Sequence, residues 1–229
     1  MARRPARESV TKPIDPTLSD RDKIIAALMA LLAERQFEAI GLNDIAARAG
    51  VSLATLREEF GGKIAILAAH AKELDRKVLA GATADMAEEP ARERLFDVLM
   101  RRLETMTDER AAIRSLLRSA VFDPPLALAL NSIAVRSQQW MLAAAGIEAA
   151  GPAGMARAQG LALLFARVLR TFVDDDDDNA RTMATLDREL DRGGRFLRML
   201  DGLCRFTSPF RPRPRRRPRE EGDDEVVAA

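Results

Sequence analysis

Tyrosine is absent from this chain of 229 residues, and cysteine, histidine and tryptophan occur once each. The single cysteine, Cys204, excludes an internal disulfide framework and fits a reducing cytoplasm. The single histidine, His70, has no cysteine or second histidine near it, so no zinc site is expected. No apolar run approaches the ~20 residues of a membrane-spanning helix; the longest lies at residues 161–166. The opening MARRPARESV is charged and lacks an apolar signal core, so a cytoplasmic location is expected. Glycine-rich phosphate loops, nucleophile elbows and metal-ligand clusters are also missing, so neither an enzyme nor a cofactor is expected. Strands of alternating polarity are missing too, and the chain reads as all-α.

What is present suits a folded, water-facing protein. Hydrophobic residues make up 47% and charged residues 31%, enough apolar surface to close a core. The net charge of +1 hides an uneven distribution. Arg3, Arg4, Arg7 and Lys12 make the start basic, as do the arginines between Arg211 and Arg219, whereas the end from Glu220 to Glu225 is acidic. The Pro/Arg repetition of residues 207–229 predicts a disordered tail. A second acidic run spans residues 174–178. It lacks the glycine and terminal glutamate of a calcium loop, so it reads as a solvated turn that caps a helix, with no metal.

Helical periodicity organises the rest. After a Pro-punctuated basic arm (residues 1–18), Ser19 caps a helix with a stripe of Ile24, Ile25, Leu28, Leu31 and Leu32. Residues 42–63, LNDIAARAGVSLATLREEFGGK, then place two short amphipathic helices around a turn. Ile45, Ala46 and Ala49 share one face of the first, and Leu56 and Phe60 share one face of the second. Gly50 stands where a left-handed terminator is needed, and Ser52 where the next helix needs an N-cap. This is the pattern of a helix-turn-helix, which lays its second helix in the DNA major groove. A fourth helix starts near residues 62–63 with Ile64, Leu67, Ala71, Leu74 and Val78 on one face. Further helices are expected at 91–106, 108–121, 125–145, 153–173 and 180–206. Gly193 and Gly194 mark a close helix approach or a break in the last one. Trp140, amid apolar residues, reads as core or as a stacking surface for a ligand.

The order of helix, Gly41, helix, AGVS, short helix with Phe60, and Lys63 opening a long helix resembles the TetR-type transcriptional regulators. That resemblance implies an N-terminal three-helix DNA-binding domain (residues 19–62) and a larger helical domain for ligand binding and dimerisation (63–206). It implies a double-stranded DNA operator, a hydrophobic small-molecule effector or lipid, and a second copy of the chain as partners, and repression released by the effector. The DNA-facing set it suggests is Arg48, Ser52, Leu53, Ala54, Thr55, Arg57 and Lys63. Thr55 and Lys63 match residues that face phosphate in the family, and Arg57 replaces a customary tyrosine. Leu53 and Ala54 offer apolar contact to a thymine methyl group. Glu58 and Glu59 depart from the pattern: Glu59 is expected nearer the DNA backbone and Glu58 nearer solvent. Residues 20–63 carry six cations against seven carboxylates, so the basic arm has to supply attraction to DNA.

Within the larger domain, effector lining is expected from Phe96, Met100, Leu103, Leu117, Val121, Trp140 and Phe165. A dimer seam on the last two helices is expected from Leu161, Leu164, Val168, Met183, Leu186, Leu190 and Leu197. Residues 174–190, DDDDDNARTMATLDREL, also resemble the C-terminal region of coenzyme-Q biosynthesis proteins, which share the TetR-like fold. That likeness implies an alternative: a lipid- or isoprenoid-binding protein of quinone metabolism without DNA binding.

Overall fold

The computed structural model describes residues 14–81, 88–176 and 178–207, with residues 195–207 by backbone alone. The chain is all-α. It divides by its contacts into residues 1–193 and residues 194–229. The expected arm up to residue 13 and the tail after 207 lie outside the described residues. Among the described residues, no helix is long and apolar enough to cross a membrane.

Ser19 starts α1 (Asp20–Glu34), its Oγ accepting the Asp22 N–H at 3.2 Å. All five residues of the expected stripe are buried. A short 3-10 turn (Phe37–Ala39) leads to α2 (Leu42–Ala49), α3 (Leu53–Glu59) and α4 (Lys63–Ala80). Around these helices closes one core: the α1 stripe, Ile40, Ile45, Ala49, Leu56, Phe60 and Ile66. Ala112 of α6 (Arg110–Phe122) and Leu126 of α7 (Pro124–Ala144) complete it. On α4 the expected stripe holds at Leu67, Leu74 and Val78, but Ile64 at its start is exposed and Ile66 takes its place in the core. The cause is two-sided packing, since α4 meets α1 near its start and α5 (Ala91–Thr105) and α7 further on.

A second core joins Leu74 and Val78 of α4 to Leu95, Leu99 and Leu103 of α5 and Met141 of α7. Phe165 and Phe172 of α8 (Gly151–Phe172) and Leu186 of α9 (Ala180–Thr207) belong to it as well. Gly193 lies within the bounds of α9. A Cβ on Gly193 would stand 3.4 Å from Leu164, an ordinary contact.

The acidic run between α8 and α9 caps the helix, as expected, but it is not simply solvated. Asp175 Oδ2 accepts from both the N–H and the Oγ1 of Thr182, each at 2.6 Å, and its side chain is buried. Arg181 Nε donates to Asp175 Oδ1 at 2.9 Å. From α6, Arg110 donates to the Asp175 carbonyl and Arg114 to Asp174 Oδ1. Burial alone would raise the Asp175 pKa, but the hydrogen bonds from Thr182 and Arg181 outweigh it and lower the value from 3.8 to about 2. A carboxylate with a depressed folded-state pKa adds stability that is complete above pH 3.8 and lost as the pH falls through about 2. Asp175→Ala should therefore cost about 2 kcal/mol near neutrality, a deficit that becomes smaller as the pH falls through that window. Urea denaturation of both proteins across the acid range measures this.

Candidate nucleic-acid interface

The helix-turn-helix is built by three local devices. Gly50 holds φ at 68°, a left-handed conformation that side chains disfavour, and ends α2. The Val51 N–H returns to the Ala46 carbonyl at 3.1 Å, which closes the turn. Ser52 Oγ then accepts the Thr55 N–H at 3.0 Å and pairs with the Thr55 hydroxyl at 2.9 Å, starting α3. At the far end Gly62, with φ of 154°, turns the chain into α4.

This scaffold fixes which side chains of α3 reach solvent. Leu56 and Phe60 are buried against α1 and α2 as expected. Leu53, 48% exposed, stands outward together with Ala54, Arg57, Glu58 and Glu59, and Thr55 is half-buried. The outward face is thus apolar at its start and mixed in charge at its end.

The cations around it are mostly occupied. Arg48 forms a two-pronged pair with Glu34 at 2.9 and 2.8 Å, and Glu34 raises its pKa further. Arg35 pairs with Asp44 at 3.6 Å and Lys23 with Asp20 at 3.2 Å. Arg21 lies over the Phe60 ring and reaches Glu59 at 3.4 Å. Such exposed pairs contribute roughly 0–1 kcal/mol each, so DNA phosphate can displace them cheaply. Glu59 therefore faces α1, while no partner binds Glu58 among the described residues. Arg57 likewise has no carboxylate partner among them, and it is the cation carried by α3.

Lys63 is held differently. Its Nζ donates to the carbonyls of Phe37 and Ile40, both at 2.8 Å, and sits 4.0 Å from the centre of the Phe37 ring. Burial pushes its pKa below the usual lysine range, while Glu38 and Asp123 pull it back up. An ammonium has three donors, so one N–H remains for a phosphate. The turn that Lys63 supports is also strapped to α6. Ser119 Oγ accepts the Phe37 N–H at 3.2 Å and donates to Glu38 at 3.0 Å, and Ser115 Oγ donates to the Arg35 carbonyl at 2.7 Å. No periodicity in the sequence announced these two serines, because their partners lie some 80 residues away.

Elsewhere the structure redistributes the expected sites. Met100, Leu103 and Phe165 are buried in the second core, with Phe96 and Leu117 packed against it. Val121 and Trp140 are not with them: they are 66% and 59% exposed. Trp140 belongs to an outward stripe on α7 with Leu128, Ser132 and Arg136, so the core reading of that residue is corrected. Of the expected dimer seam, Leu161, Val168, Leu186 and Leu190 are buried in the subunit's own core, and Leu164 packs against it. Met183 is 46% exposed, and the side chain of Leu197 lies outside the described residues. The opposite face, with Gly160, Leu163 and Arg167 on α8 and Met183, Ala184 and Asp187 on α9, is exposed. The sequence-based reading also missed Asp75, Arg102 and Gln138, polar residues buried on core faces of α4, α5 and α7.

Residues 24–70 match the family model of the bacterial regulatory proteins, tetR family. No curated protein matches the chain. Among solved structures, a TetR transcriptional regulator from Nitrosomonas europaea ATCC 19718 is 26% identical, with a TM-score of 0.59 over 79% of this chain and 99% of that one. A TetR transcriptional regulator from Rhodococcus sp. RHA1 is 22% identical, with a TM-score of 0.53 over 76% and 95%. A TetR-family regulator from Rhodococcus sp. is 20% identical, with a TM-score of 0.53 over 75% and 97%. Nothing in these likenesses favours the coenzyme-Q reading of residues 174–190. A helix-turn-helix closed by Gly50 and Ser52 lies within the matched segment, and it is set in a helical fold shared with these regulators.

Proposed function

We propose that this protein is a ligand-responsive repressor that binds a palindromic double-stranded DNA operator as a homodimer. The observation that carries the reading is the outward face of α3, where Leu53, Ala54 and an uncommitted Arg57 stand on a rigid, doubly capped turn. Such a face suits the groove, with apolar contact for a thymine methyl group and a guanidinium for phosphate or guanine. The near-neutral charge of residues 20–63 assigns the remaining attraction to the basic arm, Arg3, Arg4, Arg7 and Lys12.

Regulation follows from what α6 touches. Ser115 and Ser119 tie it to the turn before α2, and Arg110 and Arg114 tie it to the loop between α8 and α9. A ligand that prefers the conformer with α6 displaced shifts the recognition helices and lowers operator affinity by its differential affinity for the two states.

The test is a titration of the full chain against genomic DNA fragments at several salt concentrations, with sedimentation at micromolar concentration alongside. Arg57→Ala should weaken binding about tenfold and flatten the log–log salt dependence by about one unit, the loss of one phosphate contact. Its melting temperature should stay at the wild-type value. Absence of binding to every fragment at low salt overturns the reading, and a monomer in sedimentation overturns its dimeric part.

A further inference from the structure

Beside the Ser115 and Ser119 straps, α6 and the turn before α2 leave a groove. One part is a cavity of about 240 Å³ reached by Arg35, Arg114, Ser115 and Arg118. The other, of about 610 Å³, shares Gln36 and Arg118 with it and is lined further by Glu38, Phe122 and Asp123. On α6, Arg114, Arg118 and Phe122 stand at i, i+4 and i+8, so they share one face and follow one another about 6 Å apart along the axis. Arg118 and the Gln36 amide have no hydrogen-bond or ion-pair partner among the described residues, and the Phe122 ring is 87% exposed. Arg114 holds Asp174, Arg35 reaches Asp44 at 3.6 Å, and Glu34, the carboxylate at this end, is gripped by both prongs of Arg48. The groove is therefore polarised. Cations line one end with Arg118 in surplus, and carboxylates flank an open aromatic ring at the other.

We infer that this groove is a nucleotide site, with the phosphate at Arg114 and Arg118 and the base against Phe122. A guanidinium grips phosphate through its fork of N–H groups, and an aromatic ring offers a base its stacking face. Carboxylates only accept, so Glu38 and Asp123 call for a base rich in donors. Guanine, with an N1–H beside its exocyclic amine, supplies more of them than adenine. From Arg114 to Phe122 the helix rises two turns, about 12 Å, the reach of a nucleoside mono- or diphosphate. A bare phosphate leaves the ring and the carboxylates unused, and an apolar ligand leaves Arg118 unpaired. The groove is separate from the second core and from the outward face of α3. A nucleotide that touches both walls opposes the displacement of α6, so it strengthens operator binding. That consequence rests on the repressor reading above; the site itself does not.

The experiment is titration calorimetry of the full chain, without DNA, against GMP, AMP, guanosine and inorganic phosphate. GMP should bind at submillimolar concentration, and each of the other three at least about fivefold more weakly. Arg118→Gln should weaken GMP about tenfold and leave guanosine unchanged. Phe122→Ala should weaken GMP and guanosine alike, about tenfold, and leave phosphate unchanged. Both side chains are exposed, so both variants should melt at the wild-type temperature. The inference is overturned by the absence of heat at millimolar GMP, by phosphate binding as tightly as GMP, or by undiminished GMP binding to either variant. AMP binding as tightly as GMP overturns the role given to Glu38 and Asp123. DNA titrations of the same samples with and without GMP separate the two readings. Failure of GMP binding with DNA binding intact removes only the nucleotide site, and GMP binding by a chain that binds no DNA removes only the repressor reading.

Discussion

Replacing Arg102 by methionine should destabilise the protein by about 3–5 kcal/mol, and adding Asp75→Leu should recover most of that loss. Arg102 Nη1 donates to Asp75 Oδ1 inside the second core, and the single change strands that carboxylate there with the Ser137 hydroxyl as its remaining donor. The double change removes both ions and leaves side chains that Leu74, Leu99 and Met141 can pack against. Ion pairs of this kind add little over an apolar replacement, because desolvation offsets their attraction, yet breaking one is costly. Urea denaturation of the three proteins measures the pattern. A single variant within about 1 kcal/mol of the wild type would place water against Asp75 and remove the premise of a dry polar cluster.

The second large effect is expected at Lys63. Lys63→Met keeps the length and the contact with Phe37 but leaves the Phe37 and Ile40 carbonyls without their donor. Stability should fall by about 2 kcal/mol, the scale of a partly buried bond to a charged group. Operator affinity should fall with it, because the carbonyls belong to the turn that orients α2 and α3. Arg57→Ala, on an exposed face, should leave stability within about 0.5 kcal/mol of the wild type. Melting curves run beside DNA titrations separate the two cases. If Lys63→Met instead lowers affinity and salt slope without any loss of stability, its ammonium serves phosphate more than the turn.

The parts of this fold that were legible in the sequence are those governed by neighbours in the chain. Gly50 and Ser52 announced the turn because a left-handed residue and an N-cap are local requirements. The same holds for α5 to α9, whose observed limits lie within a few residues of those read from periodicity. What stayed hidden depends on partners far along the chain. A leucine stripe reveals that a helix buries one face but not against what, so Leu161, Val168, Leu186 and Leu190 read equally well as seam or as core. The pairing of Arg48 with Glu34 and of Arg21 with Glu59 was invisible for the same reason. Asp75 did leave a local trace: it lies four residues after Ala71, on the face that the α4 stripe buries. A charge on an apolar stripe was the signal for the polar cluster, and it was not read as one.

The core beneath α2 and α3 has a consequence for engineering. Ala112 and Leu126 lie beyond residue 100, yet they close the same apolar cluster as Ile24, Ile45 and Leu56. A DNA-reading cassette cut at residue 62 would leave behind part of its own floor, along with the Ser115 and Ser119 straps. Swapping specificities between regulators of this architecture is therefore a graft of surface residues on α3, such as Leu53, Ala54 and Arg57, onto an intact body. It is not an exchange of modules.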